Sequence, residues 1–187
     1  MRHCPGHRRR GSVALEFAIL AVPLFTLSLG AMEVGYDFFV AAALDSAVHA
    51  AARSVQVGTA QGSATGAAAA SWVASAVCPA LGTLLDCGQL YVSVTTIGSG
   101  VGQNYYTYIT ANPPSLTALT SPANSVCTGS GGKLMLLQAY YLSPTFIGLL
   151  VPGWSQTSPV NSAQRVHVTY AATGFVNEYF TGGQTGC

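Results

Sequence analysis

Glu16 is a lone carboxylate inside an apolar run, four residues after Ser12 and just downstream of Arg8-Arg9-Arg10-Gly11. A peptidase cutting after Gly11 would convert Ser12 into a free α-ammonium. A helix brings positions four apart onto one face, so that amine and the Glu16 carboxylate can neutralise one another, within one chain or between adjacent chains of a bundle. A carboxylate one turn into a bilayer costs about 1–3 kcal/mol, which such a pair offsets. The plain alternative is an acid tolerated near the headgroups, where the helix dipole favours negative charge in the first turns.

The element that must position this junction is a membrane helix. Residues 17–32 are apolar without interruption, and 12–32 as a helix would cover about 32 Å, close to the hydrocarbon thickness. The arginines at its N-terminal mouth place that end in the cytoplasm and send the rest outward. Pro23 sits mid-span, where it removes a backbone hydrogen bond and bends or loosens the helix, as kinked helices do in a bundle. Gly30 and Gly35 suit close helix approach but fall short of a GxxxG pair. Residues 32–57 hold no Pro and are rich in Ala, so the helix continues. Glu33 and Asp37, then Asp45, His49 and Arg53, recur at spacings of four and read as one solvated stripe. The Gly, Ser, Thr and Gln of 58–66 end it.

Beyond lies a change of period. Residues 67–77, around Trp72, read as a second helix stopped by Pro79 and Gly82. Residues 89–97 alternate Leu90, Val92 and Val94 against Tyr91, Ser93 and Thr95, and Gly98-Ser99-Gly100 marks a strand turning back. Residues 104–110, 133–142 and 164–175 are further strand candidates, β-branched and aromatic. Residues 111–132 form a polar loop anchored by Cys127. The apolar loop 146–154 is expected to cover the open face of the sheet, with a docking patch as the alternative. The fold class is α+β: a long N-terminal transmembrane and spine helix followed by a small antiparallel β-sheet domain, pilin-like in outline. The segments are a basic leader peptide (1–11), the transmembrane and spine helix (12–57) and a periplasmic α+β domain (58–187).

Composition excludes several classes of function. Of seven basic and six acidic residues, only Asp86, Lys133, Arg165 and Glu178 lie beyond Arg53, so no basic surface exists for a phosphate backbone and nucleic acid is not a partner. Cys78, Cys87, Cys127 and Cys187 all lie on the outward side, which in an oxidising compartment means two disulfides with three possible pairings. Cys78 with Cys87 and Cys127 with Cys187 is preferred, closing a short loop and tying down the C-terminus. Beyond the leader only His49 and His167 offer imidazoles, and no metalloenzyme, nucleophile-elbow or dinucleotide motif occurs, so neither a metal nor a cofactor is expected. An envelope hydrolase with a Ser nucleophile would need His167 beside Asp86 or Glu178. Arg9-Arg10 lacks the pattern of a twin-arginine signal. A secreted protein cut after Ser28-Leu29-Gly30 would begin at Ala31 and leave Glu16 stranded in its signal.

In their order along the chain these features resemble the TadE-like minor pilins, or pseudopilins, of the tight-adherence pilus system. The resemblance rests on Arg10-Gly11-Ser12-Val13-Ala14-Leu15-Glu16-Phe17-Ala18, on Ala21-Val22-Pro23-Leu24, on Met32-Glu33-Val34-Gly35-Tyr36 and on Ala50-Ala51-Ala52-Arg53. Tyr140-Tyr141 before Pro144, the apolar loop to Gly153, and Gly174-Phe175-Val176-Asn177-Glu178 are similar to the family's closing strands. It implies cleavage between Gly11 and Ser12 by a prepilin peptidase at the cytoplasmic face, and a non-enzymatic role in pilus assembly. The implied setting is the bacterial inner membrane, a single pass with the C-terminal domain in the periplasm. The partners would be membrane lipid, other major and minor pilins and the assembly platform. Phe17 departs from the Tyr usual in major pilins, and a domain of this size suits an initiating, tip or scaffold subunit. The main rival is an uncleaved, membrane-anchored envelope binding protein that keeps Met1.

Overall fold

The computed structural model describes residues 9–59, 63–65, 71–72, 75–83, 85–98, 104–111, 125–145, 147–149, 151, 153–159 and 161–179. Its first element, α1, runs from Arg9–Gln56 and stays helical through Pro23. Ala and Leu, the residues that pay least entropy in a helix, recur along its whole length. The helix stops where Gly58 takes φ 74°. There the Thr59 amide bonds the Ser54 carbonyl at 3.1 Å and the Gly58 amide bonds the Val55 carbonyl at 3.0 Å, the paired closure that a left-handed glycine permits.

The second half of α1 is a spine. Val40, Leu44, Ala47, Val48, Ala51, Ala52 and Val55 are buried, and their spacing traces one face of a 3.6-residue helix. That face lies against a six-stranded sheet of order β1-β3-β2-β4-β6-β5. The strands are β1 (Ser63–Thr65), β2 (Leu90–Thr96), β3 (Ser125–Cys127), β4 (Leu134–Pro144), β5 (Gln156–Thr157) and β6 (Arg165–Val176). The central strand β4 pairs antiparallel with β2 and, over its whole length, with β6. Alternation sends Met135, Leu137, Ala139 and Tyr141 toward α1 with Leu90, Val92 and Val94. Tyr140 and Leu142 instead join Tyr91, Val166 and Val168 on the outer face. A strand buried on both sides explains why β4 is almost continuously apolar.

Three expectations require correction. The sheet is mixed, because β2 and β3 run parallel, so Gly98 does not begin a hairpin; a parallel neighbour needs a crossover. Within that crossover the strand expected over 104–110 is a helix, Tyr105–Ala111. Tyr, Thr and Ile favour strands, but Asn104 overrides them: its Oδ1 accepts the Thr107 amide at 2.9 Å, capping the first turn. Pro79 does not stop a helix either. It stands in the first turn of Cys78–Leu81, where its missing N–H has no intrahelical partner to lose. Of the second helix expected over 67–77, the described residues 71–72 and 75–76 are helical and the rest lie outside the described residues.

Cys78 and Cys87 are disulfide-bonded, as preferred from the short loop they close. A bridge over so short a loop stabilises by about 2–3 kcal/mol, through the entropy it removes from the unfolded chain. Cys127 is also disulfide-bonded; Cys187, its expected partner, lies outside the described residues.

Candidate membrane and assembly site

From Val13 to Met32 the large apolar side chains of α1 are 60–76% exposed. No part of the described domain covers them, and the exposure runs around the whole circumference. A helix apolar on every side and bare is compatible with lipid or with other helices, not with water. Among the described residues it is the one helix long and apolar enough to cross a membrane. Gly11 and Ser12 lie in its first turns, Glu16 is exposed on it, and Pro23 falls in its bare half.

The domain first meets this helix at Gly30, where an added Cβ would stand 3.2 Å from Ile147 Cδ1. One turn on, the Glu33 carboxylate takes hold of the apolar loop. One oxygen accepts the Ile147 amide at 2.8 Å, and the other accepts the Thr145 hydroxyl. The acid thus caps, from another element, the start of the short 3-10 turn Ile147–Leu149. Thr145 Oγ1 in turn accepts the Gly148 amide at 3.0 Å, and the Ser155 hydroxyl donates to the Gly148 carbonyl at 2.9 Å. Any side chain at Gly148 would collide with Ser155 and Thr145. The loop is therefore pinned against both α1 and β6.

Asp37 comes next on the same side. Its side chain is only 14% exposed, and its Oδ2 lies 3.9 Å from His167 Nε2 without a hydrogen bond. His167 stacks on Trp154, ring centroids 5.8 Å apart, and its Nδ1 is 3.3 Å from the Trp154 carbonyl. Burial pushes the Asp37 carboxyl above its ordinary range; the nearby His167 opposes this, and Glu33 adds to it.

The single solvated stripe expected for Glu33, Asp37, Asp45, His49 and Arg53 therefore splits. Glu33 and Asp37 face the domain. Asp45 and His49 form an exposed pair at 3.7 Å, and Arg53 meets Glu178 at 3.9 Å. The reason is helical phase: at about 100° per residue, a row of every fourth residue turns by about 120° between positions 33 and 45.

A pH dependence follows from the Asp37 environment. A carboxyl whose folded pKa is raised binds its proton more tightly in the folded chain. Its neutralisation therefore contributes stability that is complete below the unfolded value and lost as pH rises through the folded one. Asp37→Asn is expected to be more stable than wild type at neutral pH, with the advantage shrinking as pH falls through the acid range. Urea unfolding of the full chain in detergent at several pH values measures it; a difference constant with pH would contradict the assignment.

At the far end of the spine, the end of β6 meets the end of α1. The Glu178 amide bonds the Gln56 carbonyl at 2.9 Å, and buried Asn177 donates through Nδ2 to the Thr128 carbonyl at 2.7 Å. Asn177-Glu178 is thus a clasp between the end of β6, the helix end and the loop before β4. Sequence reading noted the pair but not this role, which depends on partners far along the chain.

The residues of a hydrolase do not converge. His167 faces Asp37, whereas Asp86 accepts the Gly88 amide at 2.9 Å within its own turn and Glu178 faces Arg53. Ser143, the register partner of His167, is fully buried and donates to the His167 carbonyl at 3.2 Å. No group of three metal-binding side chains occurs among the described residues.

Compared with known proteins, residues 11–53 match the family model described as TadE-like protein. No curated protein and no solved structure matches the chain. The matched segment spans the Gly11-Ser12 junction, the bare apolar helix, Glu33, Asp37 and most of the spine.

Proposed function

We propose that this chain, TadE-like over residues 11–53, is a minor pilin or pseudopilin of a tight-adherence type IV pilus and acts by helix-bundle assembly. The observation that carries the reading is the uncovered half of α1, which holds one acidic residue, Glu16, one turn after Ser12. Residues 1–11 serve as leader, 12–57 as membrane and spine helix, and 58–187 as the periplasmic domain, with the N-terminus cytoplasmic. A prepilin peptidase cuts between Gly11 and Ser12. That bond lies in the first turn of α1, whose amides have no intrahelical acceptors, so opening it costs little. The new ammonium pairs with Glu16 in a bundle with other major and minor pilins at the inner-membrane assembly platform. Pro23 relaxes the helix where it must pack among others.

N-terminal sequencing of the mature chain is the decisive test. Cells with the peptidase are expected to yield Ser12 as first residue, and cells lacking it Met1. Met1 in both would favour an uncleaved membrane-anchored binding protein, and Ala31 would mean ordinary signal-peptide removal; either result refutes processing at Gly11.

A further inference from the structure

We propose that the domain does not hang free from its helix but rests on the membrane, through an aromatic collar made by Tyr36, Phe38 and Phe39 of α1 and by Val151 and Trp154 of the pinned loop. The inference rests on the reading of residues 12–32 as the membrane span. Met32 ends the bare apolar run, and a helix rises only about 7–8 Å from there to Asp37. The headgroup layer of one leaflet is about 5–8 Å deep. Everything attached to α1 between Glu33 and Asp37 therefore lies at headgroup level.

The apolar loop is attached from the last turn of the span up to that level. Ile147 touches the helix at Gly30, Glu33 holds its amide, and Trp154 is fixed beside Asp37 through His167. Yet Val151 and Trp154 are left 46% and 40% exposed. On α1 itself Tyr36 is 38%, Phe38 73% and Phe39 45% exposed, although all three stand past the span.

Their directions identify the partner. At about 100° per residue, Tyr36, Phe38 and Phe39 point at about 0°, 200° and 300° around the axis. The remaining quadrant, at about 100°, belongs to Asp37, and there the loop supplies Trp154. Aromatic and apolar groups thus surround the helix between about 6 and 10.5 Å above Met32, from the headgroup layer to its outer edge. A single docked protein would cover one side; a bilayer surface meets all of them, and Trp and Tyr are the side chains that settle at that boundary.

The test uses the full chain carrying Trp72→Phe, so that Trp154 is its only tryptophan. The exchange is mild, since the buried Trp72 Nε1 has no hydrogen-bond partner to lose. In vesicles of phosphatidylethanolamine and phosphatidylglycerol, Trp154 emission is expected to be blue-shifted and shielded from acrylamide. It should also be quenched more by brominated acyl chains labelled near the headgroups than by chains labelled near their ends. Water-like emission in chains that float with the vesicles would overturn the collar and leave the membrane span standing. Shielding that ignores bromolipid and fades on dilution into more lipid would mean that a neighbouring chain covers the patch, which also overturns it. Chains that fail to float would remove the span, and the collar with it.

Discussion

Glu16→Ala is expected to leave the chain in the membrane and to remove it from the assembled fibre. Removing the carboxylate makes the span more apolar, so insertion becomes easier by about 1–3 kcal/mol. Assembly responds in the opposite direction, because a bundle that relies on the Ser12 ammonium meeting a carboxylate is left with an unpaired cation in a low-dielectric seam. A lost pairing worth only about 1.4 kcal/mol lowers incorporation tenfold. Immunoblots of membrane and sheared-fibre fractions measure both effects. Glu16→Gln separates charge from shape: it should behave like Ala if charge is what matters. Wild-type amounts of either variant in the fibre would refute the pairing role.

Glu33→Ala is expected to be the most damaging surface-helix substitution in the chain, at about 2–4 kcal/mol. Its two oxygens hold the Ile147 amide and the Thr145 hydroxyl, and a hydrogen bond to a charged group contributes about 1.5–3 kcal/mol. Alanine abolishes both and leaves the 3-10 turn uncapped. Asp45→Ala, on the same helix and in the same spacing of four, should cost no more than about 0.5 kcal/mol, because its partner His49 is exposed with it. Urea unfolding of both variants in detergent compares the costs directly, and limited proteolysis within 145–155 should rise only for Glu33→Ala. Equal effects would mean that Glu33 does not anchor the loop.

That contrast marks how far residue patterns carried. Strands β2, β4 and β6 were readable because alternation and β-branched side chains report burial on one or both faces of a pleated surface. Their order was not, because nothing local distinguishes a parallel neighbour from an antiparallel one. The helix Tyr105–Ala111 was misread because Tyr, Thr and Ile favour strands, whereas the Asn104 Oδ1, accepting the Thr107 amide, decided the matter. The Cys78–Cys87 bridge followed from loop length; the clasp at Asn177 depends on the Thr128 carbonyl, distant in the chain.

Of the site, the sequence by itself determined the bare apolar helix, its length and the place of Glu16 along it, since length, hydropathy and spacing along one helix need no knowledge of neighbours. Only the tertiary structure decided that Glu33 and Asp37 turn inward while Asp45 and His49 stay in water. Helical spacing sets the angles between these side chains, but the zero of that angle is set by Val40, Leu44 and Val48 seating against β4 and β6. Packing of the spine on the sheet thus selects which acid grips the apolar loop.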